Sequence, residues 1–543
     1  MQQAVWYLWS TVWRKRVTSS VIISRATGHV LVPYNNSLET LITDEVKTIE
    51  HQHKTFAVLP HTPATQMQLR GAGIEVPAPI LFHYDWPSGD GAIPFQVQKN
   101  TASLATSHLR AYVLNDMGTG KTKSAIWSWR FLYNSGAAKK LLVVCPLSTM
   151  KFVWLRELHL TMPEIKTVVL FGTRQKRLKL LDQDADVYII NHDGLKSIIE
   201  DLHSRTDIDA MILDELAVYR NNSLRSKRMR EFAQRFTWVW GLTGRPMPNA
   251  PTDVWNQCKI LTPGTIPKYF RHARSQLMLQ VSQYKWVPKT DAIDTALTWM
   301  QPSVRYSLDD VVELPEAIYR TIDVEMTEEQ ATTYRKLANE FAILLRNQVI
   351  TAANAGVAMG KLLQVGAGYL YSQNPLHVVL DAEPRKQMLL DLIEAAPHKV
   401  IVFAPWRHLI EGLSALLTDE KIDHAVVHGD VKKREQIFNA FQNTTQYRVL
   451  LAHPQCIHHG LTLTAASTII WYSPVCSLDI YEQANARIRR VGQKEKQLFL
   501  HLQSTQIERK VYDMLRRKQR TQDAFLEMIK TSASNGELEH DEI

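Results

Sequence analysis

The stretch Asn115-Asp116-Met117-Gly118-Thr119-Gly120-Lys121-Thr122 constrains this chain more than any other. The apolar run Ala111–Leu114 precedes it and the helix-like run Ser124–Trp127 follows, giving strand, glycine-rich turn and helix in succession. Such a turn is a phosphate cradle. Glycine at positions 118 and 120 lets backbone N–H groups approach phosphate oxygens, and the helix N-terminus adds its partial positive charge. Lys121 is the side chain to reach terminal phosphates, and the Thr122 hydroxyl the one to hold Mg²⁺. The strict form of this motif has a glycine five residues before Gly120, and here that position is Asn115.

Downstream, apolar runs alternate with helix-like segments. Leu141–Pro146, Val187–Ile190, Ala210–Leu213 and Val239–Leu242 read as buried strands of one parallel sheet with helices on both faces. Ligands in such sheets sit at the carboxyl ends of the strands. Asp214 and Glu215 end the third of these strands. A carboxylate there holds Mg²⁺ through water, and its neighbour polarises an attacking water. Thr243 and Gly244, with Arg245 and Pro246, end the fourth in a tight turn suited to sensing a terminal phosphate.

With 543 residues the chain has room for about three or four domains. A formal net charge of +9 favours an anionic partner, nucleic acid first. The four cysteines form no C-x-x-C pair, which argues against a zinc ribbon or a disulfide framework and fits a reducing compartment. No apolar run is long enough to cross a membrane, and the order of apolar and basic residues at the start is not that of a secretory signal. His453–His459 carries Cys456 among its histidines but has no second cluster to complete a metal site. Residues 1–90 read as an accessory domain, with strands near Val21–Ile23, Val30–Val32 and Phe56–Leu59 and a helix over Ser37–Glu50. Glu75–Pro94, rich in Pro and Gly, reads as a linker. Just beyond it Gln96, behind an aromatic residue and upstream of the phosphate loop, is the candidate to read an adenine edge.

Together these segments resemble the Swi/Snf-type (Snf-two) ATPases of helicase superfamily two over roughly residues 90 to 530. The likeness is carried by Val143–Leu158, Asp214–Met229, Leu242–Asn249, Val312–Tyr334, Met359–Tyr371, His458–Ser467 and, most closely, Gln483–Gln493. It implies an α/β fold of two tandem RecA-like P-loop lobes with a helical insert and a small N-terminal α/β accessory domain. The expected boundaries are 1–90 for the accessory domain, 91–262 for lobe one, 263–383 for the insert, 384–533 for lobe two with a brace helix, and 534–543 for an acidic tail. Compactness suggests a bacterial or viral member, cytoplasmic, or nuclear if eukaryotic.

The resemblance further implies ATP with Mg²⁺ as the fuel, held by Asn115–Thr122 and Gln96, with Thr122 and Asp214 on the metal. Lys121, Asp214, Glu215 and the arginine fingers Arg487 and Arg490 carry the chemistry. The two arginines lie three apart on what reads as one helix. Thr243, Gly244 and Gln483 couple nucleotide state to movement. DNA is the implied partner, gripped by its phosphates through Ser148, Asn191, His192, Gly460 and Thr462 with little sequence preference. RNA ranks below DNA, and no membrane is involved. Two readings stay open beside translocation along duplex DNA: a strand-separating DNA or RNA helicase, and an ATP-switched clamp without turnover. The chain departs from the family pattern at Ala217 (usually His), Arg245 (usually small and polar) and His453-Pro454 (often Ser-Thr).

Overall fold

The computed structural model describes residues 21–517, apart from 36–37, 39–45, 52, 90, 284, 312–313, 348–351, 372–376, 458–460 and 491. The chain divides into two compact units, Met1–Val311 and Val312–Ile543.

The first unit opens with a four-stranded antiparallel sheet, Ile22–Ser24, His29–Pro33, Lys54–Pro60 and Lys47–His51 in spatial order. Val30, Val32, Ala57 and Leu59 fill its small core, which the helix Pro63–Gly71 closes with Leu69. Of the helix expected over Ser37–Glu50, Leu38 is helical, but the last four residues are not. Lys47–His51 is a strand, because it covers the free edge of Lys54–Pro60, whose backbone groups need partners. Residues 39–45 of that expectation lie outside the described residues.

The proline-rich stretch after it is a packed strap rather than a free linker. Pro87 O accepts from Trp127 Nε1 at 2.8 Å, Gly89 N donates to Leu160 O at 2.8 Å, and Lys123 Nζ donates to Ser88 Oγ at 2.6 Å. A Cβ at Gly89 would stand 2.2 Å from the Leu160 carbonyl oxygen, so only glycine allows this approach.

The main body of the unit is a seven-stranded sheet, all parallel, in the order Ser303–Val304, Arg110–Val113, Trp238–Leu242, Ile208–Asp214, Lys140–Cys145, Val187–Asn191, Thr167–Val169. Strand side chains alternate between two cores. Leu142, Val144, Tyr188, Ile190, Met211 and Leu213 enter one, and Leu141, Val143, Val187, Ile189, Ala210 and Ile212 enter the other. A parallel sheet needs both faces covered, and this alternation explains why its strands read as continuous apolar runs.

The second unit repeats the plan with six parallel strands in the order Ala317–Asp323, Gln497–Gln503, Ala466–Trp471, Lys399–Phe403, Val449–Ala452, His424–Val427. The stretch 263–383, expected as one helical insert, divides between the units. Helices Phe270–Leu277 and Ala292–Trp299 bury Ala273, Leu277, Ala292 and Trp299 in a core of the first unit, whereas Ala317–Asp323 becomes an edge strand of the second. The pairing of Ala317–Asp323 with Gln497–Gln503 is a long-range contact that local pattern does not encode.

Arg385 is the polar centre of the second unit. It is 1% exposed and pairs with Glu508, 0% exposed, at 2.7 Å. Its remaining donors reach Tyr472 O, Gly366 O, Leu502 O and Ser504 Oγ, while Glu508 Oε2 also accepts from the backbone of Ser504 and Thr505. A buried ion pair is tolerable only when every donor and lone pair is occupied in this way. Glu508→Gln leaves the guanidinium buried against a neutral partner and is expected to cost about 3–5 kcal/mol, seen as an earlier urea transition of the full chain.

Candidate functional site

The strand register sets the site. Leu242 lies level with Val113 on one side and with Asp214 on the other, so three neighbouring strands end at the same height. The loop Asn115–Gly120, the turn at Thr243–Gly244 and the pair Asp214–Glu215 therefore share one edge of the sheet, where ligands of such folds bind.

Gly118 (φ 85°) and Gly120 (φ 80°) adopt the left-handed conformation, and Gly120 caps the 14-residue helix Lys121–Asn134. Lys121 Nζ donates to Asn115 O at 2.7 Å and Asp116 O at 2.8 Å. A Cβ on Gly244 would stand 3.4 Å from Asn115 O and 3.7 Å from Lys121 Nζ, which puts the turn after strand Trp238–Leu242 directly against the loop. Thr243 N donates to Val113 O at 3.0 Å, and Thr119 Oγ1 to Asp116 O at 2.8 Å. Met117 and Thr122 are half-buried on the same rim.

Asn115, the departure from glycine, is buried and carries two tertiary hydrogen bonds. Its Nδ2 donates to Thr101 Oγ1 at 2.9 Å, and its Oδ1 accepts from Tyr306 N at 3.0 Å. The side chain thus ties the loop to the preceding helix and to the segment that follows the edge strand. The edge segment is zipped on further: Tyr112 N to Pro302 O, Leu114 N to Val304 O and Asp116 N to Tyr306 O. The Tyr306 hydroxyl accepts from Asn100 Nδ2 at 3.0 Å, and Asn100 Oδ1 accepts from Gln96 Nε2 at 2.9 Å. Gln96 itself is exposed at the first turn of helix Gln96–Thr106. The glutamine packed on the loop is Gln98, buried, with Nε2 against Gly120 and Oε1 accepting from Phe95 N.

The acidic pair is held from several sides. Trp154 Nε1 donates to Asp214 Oδ2 at 2.8 Å. Glu215 takes φ 57°, an uncommon left-handed conformation for a residue with a side chain, costing on the order of 1 kcal/mol or more. Strain of that kind concentrates at functional sites. Burial pushes the nearby Cys145 thiol well above its ordinary range, with Asp214 adding to the effect, so the thiol stays protonated.

His192 Nε2 lies 2.9 Å from Asp214 O and Nδ1 2.9 Å from the Tyr219 hydroxyl. A carbonyl only accepts, so Nε2 carries the proton and Nδ1 accepts from the tyrosine. Burial lowers the His192 pKa to about 4. The imidazole on the backbone of the acidic motif comes from His192, while Ala217, where the resemblance expects histidine, is buried. Asn191 and His192, expected to touch DNA, are only 6% and 7% exposed, so their side chains face the protein interior. Ser148 is half-buried in the turn after Lys140–Cys145.

In the second unit the helix Leu478–Asn485 ends before either expected finger, so Arg487 and Arg490 sit on the turn beyond it rather than on one helix. Buried Ile488 and the bond from Leu463 N to Arg487 O draw the chain inward there. Arg487 is 0% exposed and donates to Gln483 O and Leu461 O. Arg490 donates to Ala486 O and to Thr462 Oγ1 at 3.3 Å, and burial lowers its pKa to about 10. Thr462 is exposed, and Gly460 lies outside the described residues.

Gln98 and Tyr306 escaped sequence reasoning. Tyr306 lies far from the loop in the chain, and no local pattern marks it. The placement of Trp154 after the strand Lys140–Cys145 was the one available signal for its role.

Residues 96–368 match the SNF2-related domain, and residues 384–492 match the Helicase conserved C-terminal domain. A putative protein of Acyrthosiphon pisum secondary endosymbiont phage 1 is 25% identical over 79% of this chain and 97% of its own length. An uncharacterized ATP-dependent helicase of Mycoplasma genitalium is 25% identical over 77% of the chain, and the match spans 40% of that protein. The human DNA annealing helicase and endonuclease ZRANB3 is 21% identical over 74% of the chain, spanning 37% of its length. Among solved structures, the Sulfolobus solfataricus SWI2/SNF2 ATPase core in complex with dsDNA aligns over 82% of this chain and 95% of that one, at 18% identity and a TM-score of 0.38. Among the described residues no helix is long and apolar enough to cross a membrane.

Between about pH 6.5 and pH 4 the unfolded chain protonates His192 while the folded chain keeps it neutral. Its contribution is therefore complete above the ordinary histidine pKa and is lost as pH falls through that window, on the order of 3 kcal/mol. His192→Gln is expected to flatten the fall in urea midpoint between pH 7 and pH 4.5.

Proposed function

The chain belongs to the SNF2-related family of helicase-type ATPases, and we propose that it is a DNA-stimulated motor that couples hydrolysis of Mg-ATP to movement along duplex DNA. The observation that carries the proposal is the level edge where the phosphate loop, the acidic pair and the Thr243–Gly244 turn meet. Two left-handed glycines before a long helix fit a triphosphate, and a strand-end carboxylate within the same edge fits a divalent cation.

In this reading Lys121 neutralises the terminal phosphates, and Thr122 and Asp214 would hold Mg²⁺, which supplies charge neutralisation when bound. Trp154 fixes the Asp214 carboxylate by its indole N–H. Glu215 orients and deprotonates the attacking water. Arg487 and Arg490 supply the permanent positive charge that stabilises the transferred phosphoryl group, an effect worth roughly 10³–10⁵ in rate where such residues have been studied. Their bonds to Leu461 O and Thr462 Oγ1 join the arginines to a loop proposed to touch DNA phosphates, with Ser148 as a second contact. Gly244 against Lys121 is the link through which loss of a phosphate is felt.

The Tyr306 hydroxyl holds Asn100 and, through it, Gln96, the proposed reader of the adenine edge. Tyr306→Phe is expected to raise KM for ATP about two- to tenfold, the range of one lost hydrogen bond, with kcat little changed. Lys121→Ala should abolish turnover. Glu215→Gln should retain ATP binding, stop hydrolysis and tighten DNA binding, and Arg487→Ala should spare ATP binding while losing hydrolysis.

The deciding experiment is steady-state ATP hydrolysis with no nucleic acid, single-stranded DNA, duplex DNA or RNA at fixed salt. Strong stimulation by duplex DNA followed by triplex displacement supports translocation. Stimulation mainly by single strands or RNA turns the reading to a strand-separating helicase, and ATP binding without turnover on any of them turns it to a clamp.

A further inference from the structure

Between Asp253 and Asp291 the sequence contains no carboxylate, yet it holds Lys259, Lys268, Arg271, Arg274, Lys285 and Lys289. Most of this stretch folds as one projection of the first unit, the helix Phe270–Leu277 followed by the hairpin Met278–Gln280 and Trp286–Pro288. Ala273, Leu277 and Met278 root it in the core. The other face is open: Tyr269 is 61% exposed, Leu279 58% and Val281 58%.

Helix and hairpin line an open cavity of about 720 Å³ with Arg271, His272, Arg274, Gln280, Gln283 and Trp286 on its walls. The Arg274 guanidinium lies 4.1 Å from the Trp286 ring centroid, so the ring holds it in place. Arg274 Nε is buried without a hydrogen-bond partner. Among the described residues none of Lys268, Arg271, Arg274, Lys285 and Lys289 forms an ion pair.

An ordinary solvated face interleaves charges of both signs. This stretch carries a single sign, and Arg271, Arg274, Gln280, Gln283, His272 and Trp286 share one concavity, with Arg274 held against the Trp286 ring. Guanidinium forks match phosphate oxygens, and neighbouring rings offer faces to sugars or unstacked bases. We propose that the helix Phe270–Leu277 and its hairpin form a further DNA-binding site that grips a phosphate backbone through Arg271, Arg274 and Lys285, outside the loops at the strand ends. The proposal rests on the reading of the chain as a DNA motor and adds a hold independent of the ATP edge.

The test uses the full chain with Arg271→Ala and Lys285→Ala combined, both side chains being exposed. Binding of a labelled DNA duplex is followed by anisotropy across a salt series, with ATP turnover in the absence of DNA as the control for folding. Loss of two phosphate contacts is expected to weaken binding about tenfold or more at low salt and to lower the slope of log K against log salt by about 2, with unstimulated turnover unchanged. Unchanged affinity and slope in the variant, with a parent that binds DNA, overturns this site alone. A parent that binds no DNA overturns the motor reading and this site with it. A variant that binds DNA like the parent but loses a poly-glutamate probe that the parent holds overturns it in favour of an acidic protein partner.

Discussion

A strand buried on both faces can send its backbone N–H and C=O groups nowhere but to its neighbours. That demand fixes the register of the seven-stranded sheet, and the rest of the first unit depends on it. Once Leu242 pairs level with Val113 and Asp214, the polar residues that follow each strand are delivered to one edge without any direct attraction between them. The same demand recruits Ser303–Val304 to the open edge beside Arg110–Val113. The recruited segment brings Tyr306 to the phosphate loop, where its backbone pairs with Asn115 and Asp116.

The second unit obeys the same backbone rule but adds a charged anchor. Arg385 and Glu508 reach out from two helices and bind the backbone at Gly366, Tyr472 and Leu502, joining segments that hydrophobic contact alone would leave free to slide. Burying the pair is costly in desolvation, and its geometry offsets that cost only because both partners are fully hydrogen-bonded. What the anchor contributes is one defined arrangement of the elements around it.

At the candidate site polar groups are braced in the same manner. Trp154 holds a carboxylate oxygen of Asp214, and His192 and Tyr219 hold its backbone. The neutral state of His192 is part of that brace, since a protonated ring would have no lone pair to accept the Tyr219 hydroxyl. The strained backbone at Glu215 is sustained by these surroundings. In the second unit both arginines are tied to the loop at Leu461–Thr462, so any change in that loop is felt at the guanidinium groups.

The sequence by itself determined the parallel α/β class, the phosphate loop, the acidic pair and the family motifs. Each is written in a short contiguous stretch, as a run of apolar residues or a fixed spacing of glycine, lysine and carboxylate. Only the tertiary structure decided the edge strands Ser303–Val304 and Ala317–Asp323, the split of the expected insert and the strap at Pro87–Gly89. It likewise decided the burial of Asn191 and His192, the end of the helix before Arg487, and the packing of Gln98 on the loop. The physical reason is common to all of them. An edge strand, a buried polar side chain or a truncated helix is chosen by which backbone group or cavity lacks a partner, and that partner lies tens to hundreds of residues away in the chain, as Asn115 does from Tyr306.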